Sequence, residues 1–212
     1  LSNQYVKIQG TGKLNGSTSQ IKATVNNDNT LNAEIDLEAN SAALNFLGNY
    51  NFIEQGNAKL KVLVTKKINS SEWKANINAN LFSNEMKIDF INFFKSKNRR
   101  GSISGILYFD KLDLLKIEKL DFLTEEVLIN ANLNFDKDNK LKNININRFI
   151  REKNNFNANI DFSNNNIRSI NVGGESIDFK DLLNFESGKK QTFIFTLNNN
   201  NLYYDDVYFG KT

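Results

Sequence analysis

The chain has 212 residues, and its 27 Lys and Arg against 24 Asp and Glu give a net charge of +3 that is spread evenly along the sequence. An even spread does not predict a nucleic-acid partner, because nucleic-acid domains concentrate their basic residues on one face. The absence of Cys and His excludes disulfides, Cys nucleophiles, zinc sites built on these residues and Ser-His-Asp hydrolases. We therefore expect neither an enzyme nor a cofactor or metal site.

Apolar and polar residues alternate along most of the chain, which is the period of a half-buried β-strand. In chain order, the alternating runs are residues 21–25, 31–39, 58–64, 73–81, 86–90, 103–109, 129–135, 156–162 and 193–197. Polar clusters such as residues 26–29, 82–85 and 163–166 separate these runs and predict turns. Since sequential strands joined by short turns form antiparallel meanders, the sequence predicts an all-β fold.

Two segments break this alternation. Residues 110–122 carry Leu112, Leu115 and Leu120 near helical spacing, with an Asp at position 110 or 113 able to cap a helix. Residues 176–185 end in a second stretch of this kind. We therefore expect one or two short helices, which are too small to cover a large sheet.

Four segments share an Asn-Ala-x-Ile or Asn-Ala-x-Leu pattern, or a close variant of it, at residues 32–37, 78–82, 130–135 and 157–162. In the last three, a strand rich in Ile or Leu follows a polar turn, so the predicted repeat unit is a hairpin. The whole chain, residues 1–212, is then one repeat-built β-domain. The sequence begins without Met or a signal peptide, which indicates an excised section of a longer protein.

Three local motifs resemble ligand-binding sites, but none of them matches such a site in full. The glycine-rich stretch at residues 10–18 lacks the Ser or Thr that a phosphate loop needs after Lys13, and residues 136–147 lack the glycine and glutamate of a calcium loop. A basic cluster at residues 95–100 fits a solvated loop better than a phosphate site.

The apolar face of the predicted strands is the remaining feature that points to a function. It needs a cover, which is a second sheet, closure into a barrel, or a ligand in an open curled groove.

Three stretches of the sequence carry a family resemblance. "NANLNF" at residues 130–135 with its return strand, "YFDKLDLLKI" at 108–117 and "GGESIDFKDLL" at 173–183 resemble the AsmA-like superfamily of diderm bacteria, which includes the YhdP and TamB types. The resemblance spans residues 76–185. The residues that fit the family's glycine-to-leucine element are Gly174, Ile177, Asp178, Phe179, Leu182 and Leu183, and a less complete match is formed by Asp110, Leu112, Asp113, Leu114 and Leu115.

This resemblance implies a long antiparallel meander curled into an open, β-taco-like groove with an apolar lumen. It further implies a periplasmic protein that an anchor outside this segment holds in the bacterial inner membrane. Such a protein conducts phospholipid toward the outer membrane in outer-membrane biogenesis, and no catalytic residues carry over. A sixteen-carbon acyl chain gains about 12 kcal/mol on leaving water, which suits a groove of this kind.

The inward residues of the repeats are the expected lining of such a groove. They are Ile77, Ala79, Leu81, Ile88, Phe90, Ile129, Ala131, Leu133, Phe135, Ala158, Ile160 and Phe162. The alternative is a secreted or surface β-sandwich or solenoid with an adhesive or scaffolding role, in which protein side chains fill the same face. An outer-membrane barrel is less favoured, because aromatic residues are scattered through strand interiors instead of forming girdles at the strand ends.

Overall fold

The computed structural model describes residues 6–14, 17–40, 53–88, 93–162, 167–178, 192–204 and 207–211. Within these ranges the chain forms sixteen β-strands and no helix, which confirms the all-β prediction. The strands are β1 (Val6–Leu14), β2 (Ser17–Val25), β3 (Thr30–Ala39), β4 (Ile53–Gln55), β5 (Ala58–Lys67), β6 (Glu72–Asn80), β7 (Glu85–Ile88), β8 (Phe93–Lys95), β9 (Gly101–Asp110), β10 (Asp113–Thr124), β11 (Leu128–Phe135), β12 (Leu141–Arg151), β13 (Asn154–Asp161), β14 (Ile167–Asp178), β15 (Thr192–Tyr204) and β16 (Val207–Gly210).

Thirteen of the strands form one main sheet in the order β1-β2-β3-β5-β6-β9-β10-β11-β12-β13-β14-β15-β16. Neighbours in this sheet are antiparallel, except that β14 and β15 run parallel. The other three strands form a small sheet in the order β4-β7-β8. Among the described strands, β1 and β16 lie at the two edges of the main sheet and do not pair with each other. The main sheet is therefore an open meander, as predicted, and not a barrel.

The predicted helix at residues 110–122 is wrong. This segment forms the end of β9, a two-residue turn and most of β10. The pairing of β10 with β9 shifts register twice, once between Leu114 and Lys116 and once between Glu118 and Asp121. Each shift inserts an extra residue, so apolar residues three apart, such as Ile117 and Leu120, both reach the apolar face and have the spacing expected of a helix. The second predicted helix begins inside β14, and residues 179–185 lie outside the described residues.

Two of the three predicted repeat hairpins are confirmed. β11 pairs with β12, and β13 pairs with β14, both in antiparallel register. The hairpin predicted from residues 78–82 is wrong, because β6 pairs with β9 while β7 joins β4 and β8 in the small sheet. A tight turn after β6, in which the Asn84 amide donates to the Leu81 carbonyl at 3.1 Å, redirects the chain out of the main sheet.

The turn between β11 and β12 is closed by a side chain. Asp136 Oδ1 accepts the backbone N–H groups of Asp138 and Lys140, each at 2.9 Å. The Lys140 and Asp138 amides hold the pKa of the Asp136 carboxyl below its ordinary value of 3.8, against a smaller opposing effect of desolvation. The carboxylate form therefore stabilises the folded hairpin.

This turn predicts a local acid sensitivity. A carboxyl whose pKa is lowered by folding contributes stability above its unfolded pKa, and that stability is lost as the pH falls through the lowered value. We expect Asp136→Asn to flatten the acid limb of a stability-against-pH curve below about pH 4, measured by urea unfolding with fluorescence of the single Trp. Asp28→Asn, in the β2–β3 turn, is the comparison, since Asp28 accepts only the Thr30 amide at 3.1 Å among the bonds described there. An acid limb identical to that of the wild type would contradict this role.

Candidate functional site

One apolar residue from each of twelve neighbouring strands lies in a single line across the main sheet. Each member is the direct cross-strand partner of the next. From β1 to β15, this central row is Ile8, Ala23, Ala33, Val64, Ala75, Leu107, Ile117, Leu133, Ile144, Ile160, Ile170 and Phe195. Since neighbouring strands lie about 4.8 Å apart, the row extends for about 53 Å, perpendicular to the strands.

A second row lies beside the central row, displaced by two residues along most strands. Its members are Gly10, Ile21, Ile35, Val62, Ile77, Gly105, Leu120, Ala131, Ile146, Ala158, Val172 and Leu197. Between β9 and β10 the row passes over a register shift, where a Cβ on Gly105 would stand 3.6 Å from the Leu120 Cα. The absent side chain lets the bulged strand pack closely, so the apolar face stays continuous.

Coverage of the central row varies along its length. In the middle, Leu107 is 1% exposed and Ile117 is 4% exposed. Toward β13 the members Leu133, Ile144 and Ile160 are only half-buried. At its first member the row is open, since Ile8 is 58% exposed. The face therefore combines a closed middle with stretches that keep apolar surface in contact with solvent.

The small sheet forms the cover over the closed part. Met86, Ile88 and Phe93 point from it into the core, in one cluster with residues from β3, β5 and β6 of the main sheet. The Phe93 ring meets the Phe122 ring of β10 edge-on, with centroids 6.0 Å apart. Protein side chains thus occupy one flank of the apolar face, and a ligand could reach only the rest of it.

The structure places most of the predicted lining residues on this one face. Ile77, Ala79, Ala131 and Ala158 are buried there, and Ile129, Leu133, Phe135 and Ile160 are half-buried. Three further predicted residues have other positions. Leu81 follows β6 in the turn and is buried, Phe162 follows β13 and is half-buried, and Ile88 belongs to the small sheet.

Ile88 lies in the small sheet and not in the main sheet, and its side chain is buried in the same core. Phe90 lies outside the described residues. The role of the whole set as a ligand-binding lining stays a prediction.

Of the twelve members of the central row, the predicted lining includes only Leu133 and Ile160. The other ten, among them Leu107, Ile117, Ile144 and Ile170, were not predicted as lining residues. Their cross-strand partners were needed to place them. Sequence reasoning also missed an aromatic pair at the other end of the strands. Trp73 and Phe109 stack with ring centroids 4.0 Å apart, and Trp73 Nε1 donates to the Lys111 carbonyl at 2.6 Å.

The opposite face of the sheet is built from amides and charges. Four asparagines, Asn132, Asn145, Asn159 and Asn171, are successive cross-strand partners on β11 to β14. Beside them, Asn134 Nδ2 donates to Asn143 Oδ1 at 2.7 Å. The alternation of apolar and amide residues in the sequence thus gives the sheet an apolar face and an amide face.

A depression of about 600 Å³ lies on the amide face beside the bulge of β10. Several of its polar groups already bind each other. Lys116 pairs with Glu118 at 2.5 Å, Asn130 donates to Asp121 at 2.5 Å, and the Lys119 amide donates to Asn132 at 2.9 Å. Since these groups have partners, they offer little binding energy to a ligand.

A buried lysine joins the small sheet to the turn that follows β6. Lys95 at the end of β8 is 3% exposed, and its Nζ donates to the carbonyls of Leu81 at 2.6 Å, Asn84 at 2.8 Å and Ser96 at 3.3 Å. Burial lowers the pKa of Lys95, while the Glu125 carboxylate acts weakly in the other direction. The basic cluster predicted to be a solvated loop is therefore divided, since Lys97 and the two arginines are exposed and Lys95 is a core residue.

Across the described ranges, no three His, Cys, Asp or Glu side chains come close enough together to hold a metal ion. The same part of the chain contains no helix that is long and apolar enough to cross a bilayer.

No protein-family model, no curated protein and no solved structure matches this chain. The resemblance to the AsmA-like superfamily therefore rests on the sequence motifs alone.

Proposed function

We propose that this chain is a section of a non-catalytic, lipid-conducting protein of the bacterial envelope, and that its apolar face solvates the acyl chains of phospholipids. In this proposal the full protein lies in the periplasm, an anchor outside this segment holds it in the inner membrane, and lipid moves between inner and outer membranes. The observation that carries the proposal is the central row, which is apolar on each of its twelve strands.

The free energy of transferring methylene groups out of water supports an acyl chain as the ligand of the solvent-exposed stretches of the central row. Each methylene that leaves water contributes about 0.8 kcal/mol, so contact along even part of a sixteen-carbon chain contributes several kcal/mol. The central row offers only hydrocarbon side chains and no directional polar group. A ligand bound there can therefore slide from strand to strand without breaking a hydrogen bond, which is what conduction needs.

A protein-packed scaffold is the second candidate function, and the small sheet favours it. Phe93, Met86 and Ile88 already fill one flank of the apolar face with protein. A surface or adhesive β-scaffold would have the remaining flank packed in the same way. The two candidates differ in whether lipid occupies the half-buried stretch around Leu133 and Ile160.

Lipid content separates the two candidates directly. We expect the chain, purified from a bacterial host without detergent, to carry phospholipid in native mass spectrometry and in organic extracts analysed by lipid mass spectrometry. A cytosolic all-β protein purified in parallel is the control for carry-over. Lipid-free protein in repeated preparations, together with no binding of a fluorescent phospholipid from vesicles, would reject lipid conduction and favour the scaffold.

A pair of matched substitutions tests the face itself. Leu133→Asp places a carboxylate among half-buried members of the central row, whereas Leu63→Asp makes the same change on the amide face, where Leu63 is 43% exposed. We expect Leu133→Asp to weaken phospholipid binding by roughly tenfold or more, because the acyl chain would have to desolvate a polar group. Leu63→Asp should leave binding unchanged. Circular dichroism confirms that both variants keep the fold, and equal binding by the two variants would contradict the assigned face.

A further inference from the structure

Two neighbouring turns in the middle of the main sheet carry exposed apolar residues. Ile68, which begins the turn between β5 and β6, is 49% exposed, and Leu112, in the two-residue turn between β9 and β10, is 88% exposed. A turn of two residues usually contains Asn, Asp or Gly. Because β6 pairs with β9, the two turns lie about 10 Å apart. The turns on either side of them, residues 26–29 and 136–140, consist of polar residues. Ile68 and Leu112, here called the apolar tip, are therefore clustered and not scattered over the surface.

Hydrogen bonds hold the two turns against each other. The Lys111 amide donates to the Ser71 carbonyl at 2.9 Å, and Trp73 Nε1 donates to the Lys111 carbonyl at 2.6 Å. On the other side, the Ile68 amide donates to the Asn29 carbonyl at 2.9 Å. A ligand of the apolar tip therefore meets turns that are already ordered, and ordering them does not reduce its affinity.

The stacked rings of Trp73 and Phe109 lie between the apolar tip and the central row. The two residues are direct cross-strand partners, and each lies two residues from a member of the central row, Ala75 on β6 and Leu107 on β9. Since residues two apart on a strand share a face, the stack and the central row belong to the same apolar face. Both rings also pack against the buried core. Apolar side chains thus lead from Leu112 to the central row.

We propose that the apolar tip docks onto the surface of a lipid bilayer, with Leu112 and Ile68 inserted among the acyl chains and Trp73 near the headgroups. Tryptophan is enriched at this depth in membrane proteins. The choice of a bilayer as the partner rests on the proposed function, because the aromatic stack leads from the tip to the face that would receive the lipid. The docking itself is a separate event, which can be measured without lipid conduction.

A lysine beside each member of the tip favours the same partner. Lys67 directly precedes Ile68, Lys111 directly precedes Leu112, and both lysines are exposed. A lysine can lay its methylene groups along apolar surface while its ammonium reaches the level of the lipid phosphates. Each turn therefore combines an apolar side chain that can insert with a cation that can stay at the interface.

Nearby carboxylates limit the contribution of net charge. Asp110 lies opposite Glu72 on β6 and opposite Asp113 on β10. These three acidic residues offset the charge of Lys67 and Lys111, so an acidic peptide or a nucleic acid would gain little at this end of the sheet. Apolar insertion must then supply the binding. We expect docking onto a zwitterionic bilayer, with little dependence on anionic lipid or on salt.

Vesicle binding by the purified chain tests the proposal, and Trp73, the single Trp, is the probe. With phosphatidylcholine vesicles, we expect the Trp73 emission to shift to shorter wavelength and lipids brominated on their acyl chains to quench it. Leu112→Asn should weaken vesicle flotation about tenfold, because the amide would have to lose its water on insertion. Leu123→Asn is the matched control at the opposite end of β10, where Leu123 is 50% exposed, and should bind like the wild type. Equal urea midpoints confirm that both variants stay folded.

Three results would each overturn docking by the tip. They are a wild type that floats with neither phosphatidylcholine nor phosphatidylglycerol vesicles, binding to phosphatidylglycerol alone, and equal vesicle affinities of Leu112→Asn and Leu123→Asn. The Leu133→Asp variant separates docking from lipid conduction, since it should lose phospholipid from the apolar face and still float with vesicles. Flotation that Leu133→Asp abolishes and Leu112→Asn leaves intact would assign vesicle binding to the apolar face and reject the tip. Flotation that depends on Leu112 in a protein that carries no lipid would support the tip and reject lipid conduction.

Discussion

Replacing Lys95 with Met is expected to lower the free energy of unfolding by about 2–4 kcal/mol. Methionine has a similar length and is apolar, so it fills the space without supplying a donor. The substitution removes the bonds to the carbonyls of Leu81, Asn84 and Ser96 and leaves polar groups buried without their cation. The destabilisation should appear as a lower urea midpoint in fluorescence of the single Trp.

Lys97→Met is the matched control for this prediction. Lys97 lies two residues further on, is exposed, and donates to the Gln55 side chain at 3.0 Å. Its loss should change stability by no more than about 0.5 kcal/mol. A similar effect of both substitutions would show that the bonds from Lys95 do not hold the small sheet in place.

The pH dependence supplies a second readout for Lys95. Because burial lowers its pKa below the ordinary value of 10.5, the unfolded chain binds this proton more readily than the folded chain does. Stability should therefore rise with pH between the lowered pKa and 10.5. This rise is expected in the wild type and should be missing from Lys95→Met, once the alkaline titration shared by both proteins is subtracted.

The strands of the main sheet were predictable because the alternation that defines them is local. Ile129 to Phe135, for example, alternates with asparagines, and the structure places the apolar members on one face and Asn132 on the other. Bulges were not predictable in the same way. In β10 the extra residues at the two register shifts change the spacing of apolar positions, and a local pattern cannot tell that spacing from a helix.

The cover of the apolar face depends on contacts between residues far apart in sequence. Met86 and Ile88 alternate as a main-sheet strand would, yet the turn at Asn84 and the bonds of Lys95 send them into the small sheet. No local pattern distinguishes a strand that lines a face from a strand that covers it, because both present one apolar side. The sequence therefore predicted that Ile88 is an apolar strand residue but not that it lies in the small sheet.

The structure explains why a glycine stands at position 174, the first residue of the glycine-to-leucine element found in the sequence. Its φ is 143°, a conformation that residues with a side chain rarely adopt, and a Cβ there would stand 2.7 Å from the Phe156 Cα. Glu175 is the extra residue where β14 shifts register against β13. Beyond this bulge, Ile177 is fully buried and the Asp178 amide donates to Asn154 at 2.8 Å. The glycine thus allows the bulge that turns Ile177 toward the core.

Gly174→Ala is therefore expected to lower the free energy of unfolding by roughly 2–4 kcal/mol. The added methyl meets backbone atoms, the Phe156 Cα and the Asn155 carbonyl oxygen at 2.9 Å, which cannot rotate away. Displacing Phe156 also disturbs its stack on Phe149, whose ring centroid lies 4.7 Å away. Urea unfolding monitored by circular dichroism measures the loss.

The adjacent glycine provides the matched control. A Cβ on Gly173 would lie 3.4 Å from the Asn157 Oδ1 atom and 3.5 Å from the Asn198 carbonyl oxygen, its two nearest neighbours, and both distances are ordinary contacts. Gly173→Ala should therefore cost at most about 1 kcal/mol. Both variants add one methyl group to the same strand. The difference between their free energies of unfolding therefore measures the effect of placing a side chain at the bulge. Equal stabilities would mean that β14 reaches the core without the conformation that only glycine provides, and the pairing of Phe156 with Gly174 would have to be wrong.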